Sequence, residues 1–576
     1  MKRMMLLSLL LALGLALPAA AESLTSTDMA HLLGSGINLG NTLEACDAAR
    51  GSFSTDPLAY ERLWGQPETT ADMLRGMRAA GFRAVRIPVA WMTNGTRLSD
   101  GGGIAVISEA WMDRVQAVVD MALDAGLYVI LNDHWDGGWY GMFGSESEET
   151  RALAMSAYRS MWRQIALRFR DYDERLILEG ANEELGARFD EDSALYCHDS
   201  TATLLSADER YALTNALNQA FVDTVRATGG GNSNRFLLIP GYGTDIAMTC
   251  DNRFTMPQDT ASDRLLLSVH YYTPWSYCGA ADAAGAAPWG TTADYRAMRD
   301  DLSRLSRFTE SGVGIVIGEY GALPGPDNIL KDNTIAYHTA FLNLCGGYGY
   351  ACCLWDTGSY YDKHQAVLRD DDLAALYAGL TDGFSDPAAC LTAFSTDMEA
   401  APERFGTGNA DDTVCMAWIM WSGGGWALTY SVGDSYRPDS ASPGILAQDA
   451  VITGPGTYTV SLDFTGTAAG CSSGAEFAAI GISRGETQYP GYVIDIVSCS
   501  INGQPAQLNG LPYTASDDGQ CTRVNLYNVW ISAVPGNARM ARGDIRQATA
   551  MPLDLTAQIC PRIESIAVTF TYGAAE

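Results

Sequence analysis

The chain has 576 residues, and 68 Asp and Glu against 37 Lys and Arg leave a formal net charge of −31. Such a surface repels nucleic acid and anionic membranes, which excludes both as partners, while an uncharged ligand is indifferent to it. The length exceeds what one hydrophobic core organises and predicts two domains.

In chain order, Lys2 and Arg3 precede an apolar stretch from Met4 to Leu17 and the small residues Ala19, Ala20 and Ala21. This is the pattern of a cleaved signal peptide over 1–21. The stretch is short for a bilayer span, and no later run is apolar enough for one, so the expected product is secreted, extracellular and soluble. Export permits disulfides. Cys197 and Cys250 lie in loop-like stretches and could pair, as could Cys471, Cys499, Cys521 and Cys560 among themselves. Cys352 and Cys353 sit in an apolar run and read as buried thiols. No Cys/His cluster has zinc spacing.

From about residue 36 to 358, short apolar runs alternate with helical patterns. The runs are 36–41, 84–91, 128–135, 176–183, 236–241, 265–272, 314–321 and 351–358, and their near-continuous apolar character fits parallel strands covered on both faces. Between them TTADMLRGMRAAG starts with Thr and stops at Gly81, and EAWMDRVQAVVDMALDAG stops at Gly126. Similar patterns cover 149–170, 208–228, 292–311, 332–345 and 370–380. Eight strand–helix units predict a (β/α)₈ TIM barrel over 22–385. An open doubly wound sheet is the competing topology, but no GxGxxG or P-loop follows the first run. Beyond 385 the helical patterns give way to short alternating segments such as GTYTVSLDFTG and RIESIAVTFTY, punctuated by Gly, Asn, Asp and Pro. This predicts an all-β sandwich over 386–576, joined near 381–410.

In such a barrel the reactive groups gather at the C-terminal strand ends. Those ends carry Arg86; Asp133, His134 and Trp135; Asn182 and Glu183; His270, Tyr271 and Tyr272; Glu319 and Tyr320; Trp355 and Asp356. Glu183 and Glu319 stand out, because a buried charge is costly without a partner, and paired carboxylates are what acid/base and covalent chemistry on a glycosidic bond requires. Side chains alternate along a strand, so only one of Glu183 and Glu184 is expected to face the site.

The ordered set GINLGNTLE, WGQPETT, GFRAVRIPVAW, VILNDHW, ANE, HYYTP, IGEYG and LWD resembles glycoside hydrolase family 5, of clan A, over about residues 30–380. The resemblance implies a secreted enzyme that cleaves β-1,4-linked glucans or related polysaccharides with retention. It implies Glu183 as acid/base and Glu319 as nucleophile, with carboxyls about 5–5.5 Å apart. Arg86 and Tyr272 are suited to keep Glu319 ionised, and burial is expected to raise Glu183. Asn182 would bond the sugar 2-hydroxyl, His134 and His270 would bind hydroxyls and orient the carboxylates, and Trp355 would lie under the sugar. The chain departs from the family's usual pattern where Leu185, not Pro, follows the glutamates, and where Trp135-Asp136-Gly-Gly-Trp139 follows His134. Both changes alter the cleft and so the preferred glycan.

Trp64, Trp135, Trp139 and Trp275 are candidate sugar platforms. In the sandwich Trp418, Trp421, Trp426, Tyr489, Tyr492, Tyr527 and Trp530 could bind polymer or pack. The expected partner is a β-glucan, the expected state a monomer, and the chemistry needs no cofactor or metal. A β-mannanase or xyloglucan-active enzyme on the same site is the near alternative. A non-catalytic binding barrel would lack one carboxylate. A metallohydrolase barrel would need clustered His and Asp after the first strand, where Asn38-Leu39-Gly40-Asn41 stands.

Overall fold

The computed structural model describes residues 24–47, 54–94, 96–98, 105–190, 205–279, 289–325, 328–402, 415–432, 440–516, 519–531 and 533–574. The expected leader over 1–21, and Cys197, lie outside them.

Eight parallel strands close into a barrel: β1 Ser35–Asn38, β2 Ala84–Ile87, β3 Tyr128–Asn132, β4 Leu176–Glu179, β5 Leu237–Pro240, β6 Leu265–Tyr271, β7 Gly314–Tyr320 and β8 Ala351–Leu354, with β8 returning to β1. Each grows from one of the eight apolar runs. The intervening helices begin at polar caps that satisfy their first amides: the side chain of Thr70 accepts from Met73 N, that of Ser108 from Trp111 N, and Ser206 forms a capping box with Glu209. The strand carrying Glu183 is shorter than the run suggested. It ends at Glu179, and Gly180 to Glu184 form the loop that follows.

The two-residue period of the strands separates two apolar populations. Val85, Val129, Leu131, Leu178 and Leu267 face the surrounding helices in the main core. Ala84, Ile130, Ile177, Leu266 and Val316 form a second cluster inside the barrel. A short helix, Ser26–Leu33, inserts Met29, Ala30 and Leu33 into that second cluster and closes the barrel floor. It is anchored by Ser26 Oγ, which donates to Gly312 O (2.8 Å) and accepts from Gly314 N (3.0 Å). The same period turns Arg86, Glu179 and Ser268 inward, so the barrel interior changes from apolar at the floor to polar above it.

The helix Pro387–Ala400 belongs to the barrel. Phe394 is part of its core, and the Cys390 Sγ would lie 2.8 Å from a Cβ placed on Gly346. The barrel body therefore runs past the expected limit of 385, because this helix packs on Thr334–Tyr348.

From Cys415 the chain builds two antiparallel sheets. One contains β9 Cys415–Gly423, β11 Ala475–Ile482 and β13 Thr522–Asn528; the other contains β10 Gly456–Asp463, β12 Tyr492–Ile501 and β14 Ser565–Ala574. Their inner faces share one core that includes Trp418, Trp421, Phe464, Ile480 and Phe570. Along β14 the alternation is complete, with Ile566, Val568, Phe570 and Tyr572 buried. Among the described residues Cys250, Cys471, Cys499 and Cys560 carry free thiols rather than the pairs considered possible, and Cys352 and Cys353 are buried thiols in β8. No described helix is long and apolar enough to cross a membrane.

Candidate active site

Arg86, fully buried on β2, organises the barrel mouth. Its Nε donates to Glu179 Oε2 (2.7 Å), Nη1 to Glu319 Oε1 (2.9 Å) and to Asn38 Oδ1 (3.0 Å), and Nη2 to Asn182 Oδ1 (2.7 Å). Burial works against its charge, but Glu179 and then Glu319 more than restore it, so the guanidinium stays cationic. Glu179 is itself completed by Ser268 Oγ (2.6 Å). One cation thus serves two buried carboxylates on β4 and β7.

Glu319 is nearly buried, and its second oxygen, Oε2, accepts from Tyr272 OH (3.0 Å). His270 Nδ1 lies 2.8 Å from Glu183 Oε1 and 3.6 Å from Glu319 Oε2. Ligating atoms of Glu183, His270 and Glu319 all lie within 4.8 Å of one another. By donor type this trio could hold a cation, but its carboxylate oxygens already accept from Arg86, Tyr272 and the His270 pair. A guanidinium 2.9 Å from Glu319 also opposes a second positive charge.

Glu183 is partly open to solvent, with Arg188 Nη2 at 3.4 Å from its Oε2. Burial pushes this carboxyl up, but the hydrogen bond from His270, reinforced by the charges of His270, Arg188 and Arg86, wins and holds it down at about 2. The expectation that burial alone raises Glu183 is therefore corrected for the free site. Glu184 points elsewhere. It is buried, its Oε2 accepts from Asn182 N (2.7 Å), and burial raises it to about 8.

His134 is buried, with its ring parallel to Trp355 at a centroid distance of 5.6 Å and an interplanar angle of 3°. Burial, then the nearby Arg86, pushes the imidazole well below its usual value, so it is neutral. The structure thus brings together Arg86, Asn182, Glu183, His270, Tyr272 and Glu319 by direct bonds, with His134 and Trp355 as a stacked pair. Of the proposed platforms, Trp139 is core, packed on Tyr140, Phe143 and Tyr158; Trp64 and Trp275 are exposed and Trp135 is half-buried. Sequence reasoning missed Asn38, Glu179, Arg188 and Ser268. The signal for Glu179 was available: a charge inside LILE needs a buried counter-charge, and Arg86 is the one buried in AVRI.

Residues 46–360, more than half of the chain, match the family described as Cellulase (glycosyl hydrolase family 5). The chain belongs to glycoside hydrolase family 5. A xyloglucan-specific endo-beta-1,4-glucanase of Bacteroides ovatus is 39% identical over 314 residues, a match that takes in 52% of this chain and 57% of that protein, so the chain spans little more than half of that relative. Endoglucanase A of Paenibacillus barcinonensis is 31% identical over 365 residues, covering 59% of this chain and 84% of the relative. Among solved structures, the Bacteroides ovatus family-5 xyloglucanase in complex with an XXXG heptasaccharide superimposes with a TM-score of 0.52 at 33% identity, over 63% of this chain and 78% of that one. The family-5 lichenase of Caldicellulosiruptor sp. F32 gives a TM-score of 0.52 at 28% identity, over 62% and 96%.

Proposed function

We propose that this family-5 chain is a secreted, retaining endo-β-1,4-glucanase that cuts internal bonds of cellulose-type glucans. One observation carries the reading: a Glu183 oxygen and a Glu319 oxygen lie within 4.8 Å on one barrel rim, the close spacing of a double displacement rather than the wider gap that admits an attacking water. Glu319, charge-paired to Arg86, attacks the anomeric carbon while the bond to the leaving sugar breaks. Glu183 delivers a proton to the departing oxygen. Water then attacks the glycosyl–Glu319 ester, gives its proton to Glu183 and frees Glu319 as a carboxylate.

In the free site Glu183 is held ionised by His270, so the arriving glycosidic oxygen has to take the place of that contact. With that contact displaced, burial is left to raise Glu183, which takes up the proton it then delivers to the leaving oxygen as Glu319 loses its charge to the new covalent bond. Asn182 supports the transition state. Arg86 only donates, so it fixes Oδ1 of Asn182 inward and leaves the amide NH₂ to bond the 2-hydroxyl. Neutral His134, braced on Trp355, offers a ring nitrogen to a sugar hydroxyl above that platform.

Xyloglucan is the second reading, favoured by the 39% identity to a xyloglucan-specific relative. Glu319→Ala should remove turnover on carboxymethylcellulose, mixed-linkage glucan, xyloglucan and mannan alike while circular dichroism stays unchanged. Near-normal turnover would overturn the nucleophile role. Sizing the products of the native chain on that panel separates the two substrates, and proton NMR of the first product should show the β anomer.

A further inference from the structure

The sandwich and the barrel share a groove of about 1000 Å³, within the range that holds a short oligosaccharide. From the barrel it takes Trp275, and from the sandwich Trp426, Phe477 and Trp530, with Glu476, Arg523 and Asn528 as polar neighbours. Trp275 and Trp530 are 53% and 51% exposed, unusual for the largest apolar side chain. Trp426 and Trp530 stack at 5.6 Å and 27°, backed by Phe477 at 6.3 Å from Trp530. Trp426 holds a backbone φ of +58°, a left-handed conformation that bulky residues rarely adopt.

The groove continues the catalytic rim. Trp275 meets Tyr272 edge-on at 6.1 Å, and Tyr272 donates to Glu319. A chain leaving the cleavage point past Tyr272 therefore meets Trp275 next and the sandwich tryptophans beyond it. Flat aromatic faces flanked by a carboxylate, a guanidinium and an amide match a pyranose, whose C–H face is apolar and whose rim of hydroxyls both donates and accepts. The occupant is also uncharged, which a molecule of net charge −31 tolerates.

We infer that the C-terminal sandwich completes the substrate cleft: Trp275, Trp426 and Trp530 form a remote subsite for the same β-linked glucan chain that is cut between Glu183 and Glu319. This rests on the glucanase reading above, and the test separates the two. The full-length Glu319→Gln variant is run in native gels containing hydroxyethylcellulose, xyloglucan or, as an α-linked control, dextran. The β-glucans should retard it and dextran should not. Adding Trp530→Ala or Trp275→Ala should weaken retardation about tenfold, the scale of losing one aromatic anchor, and the two together should lose less than the sum, since they grip one chain. Trp275 lies on the barrel and Trp530→Tyr retains a ring, so a sandwich that fails to fold as Trp530→Ala leaves two informative variants, with Trp530→Tyr expected to bind nearly as the parent does. Retardation unchanged by Trp275→Ala and Trp530→Ala overturns the inference even if Glu319→Ala abolishes turnover. Retained binding with no turnover in the native chain would overturn the catalytic reading instead. A dimer that Trp530→Ala dissolves, with polymer binding intact, would assign the groove to a second copy and overturn it too.

Discussion

Arg86 neutralises Glu179, aligns Glu319 and orients Asn182 with one guanidinium, so its loss is a matter of stability as well as of rate. Arg86→Met leaves two buried carboxylates without a counter-charge. Breaking a buried pair this way costs about 3–5 kcal/mol, to be read as a lower urea midpoint, together with loss of turnover. Arg188 works at lower stakes. It lies 3.4 Å from Glu183 with both side chains partly exposed, and its charge favours the ionised form. Arg188→Ala should therefore move the alkaline limb of kcat, which reports the substrate complex, upward by about 0.5 pH unit, the size of a partly exposed ion pair, with kcat at the optimum little changed. A downward move in the pH–rate profile would contradict the assignment of Glu183 as the acid.

Strands β6 and β7 set the imidazole of His270 beside Glu319, within reach of Glu183 on the loop after β4. Their register shifts between Val269 and His270, which brings His270 opposite Glu319. Gly318 makes room for the imidazole: a Cβ there would lie 3.1 Å from His270 Nε2 and 3.0 Å from Ser268 Oγ. Gly318→Ala should push His270 off both carboxylates, lowering kcat/KM on polymer by about tenfold or more, since small misplacements of a catalytic constellation cost on the order of 10²-fold. Its melting temperature should fall only modestly. At this scale the sequence was informative wherever a strand behaves like its neighbours. All eight barrel strands, and the helix stops at Gly81 and Gly126, follow from apolar runs and left-handed glycines. It was silent where partners come from afar. The Glu183–His270 bond that reverses the expected proton affinity joins residues 87 apart in the chain, and Met29, Ala30 and Leu33 look like any amphipathic turn until a closed barrel exists to receive them. The seven sandwich aromatics were equally undecidable one by one: Trp418, Trp421 and Tyr527 are buried, whereas Trp530 is half exposed, and only the packing of two sheets sorts them.

The molecule as a whole holds several buried carboxyls pushed upward by burial: Glu44 and Asp136 to about 7, and Glu184 to about 8. Each binds its proton more tightly folded than unfolded. Their contribution to stability is therefore complete below the ordinary carboxylate range and is lost as pH rises through 7 to 8. The melting temperature should fall between about pH 5 and pH 9, by roughly 1 °C for each kcal/mol lost in a barrel of this size. Glu184→Gln, which keeps an acceptor for Asn182 N and removes the titrating group, should flatten that slope in calorimetry.

The helix at the barrel floor bears on the order in which the protein acquires its structure. Ser26 emerges from the ribosome early, but its anchors, Gly312 and Gly314, lie 286 and 288 residues later, and the floor it seals also needs Ala351 and Cys353 of the last barrel strand. Closing so long a loop is entropically expensive and slow. Until β8 is synthesised the barrel has no finished interior, and a helix made before any barrel strand is among the last to find its place.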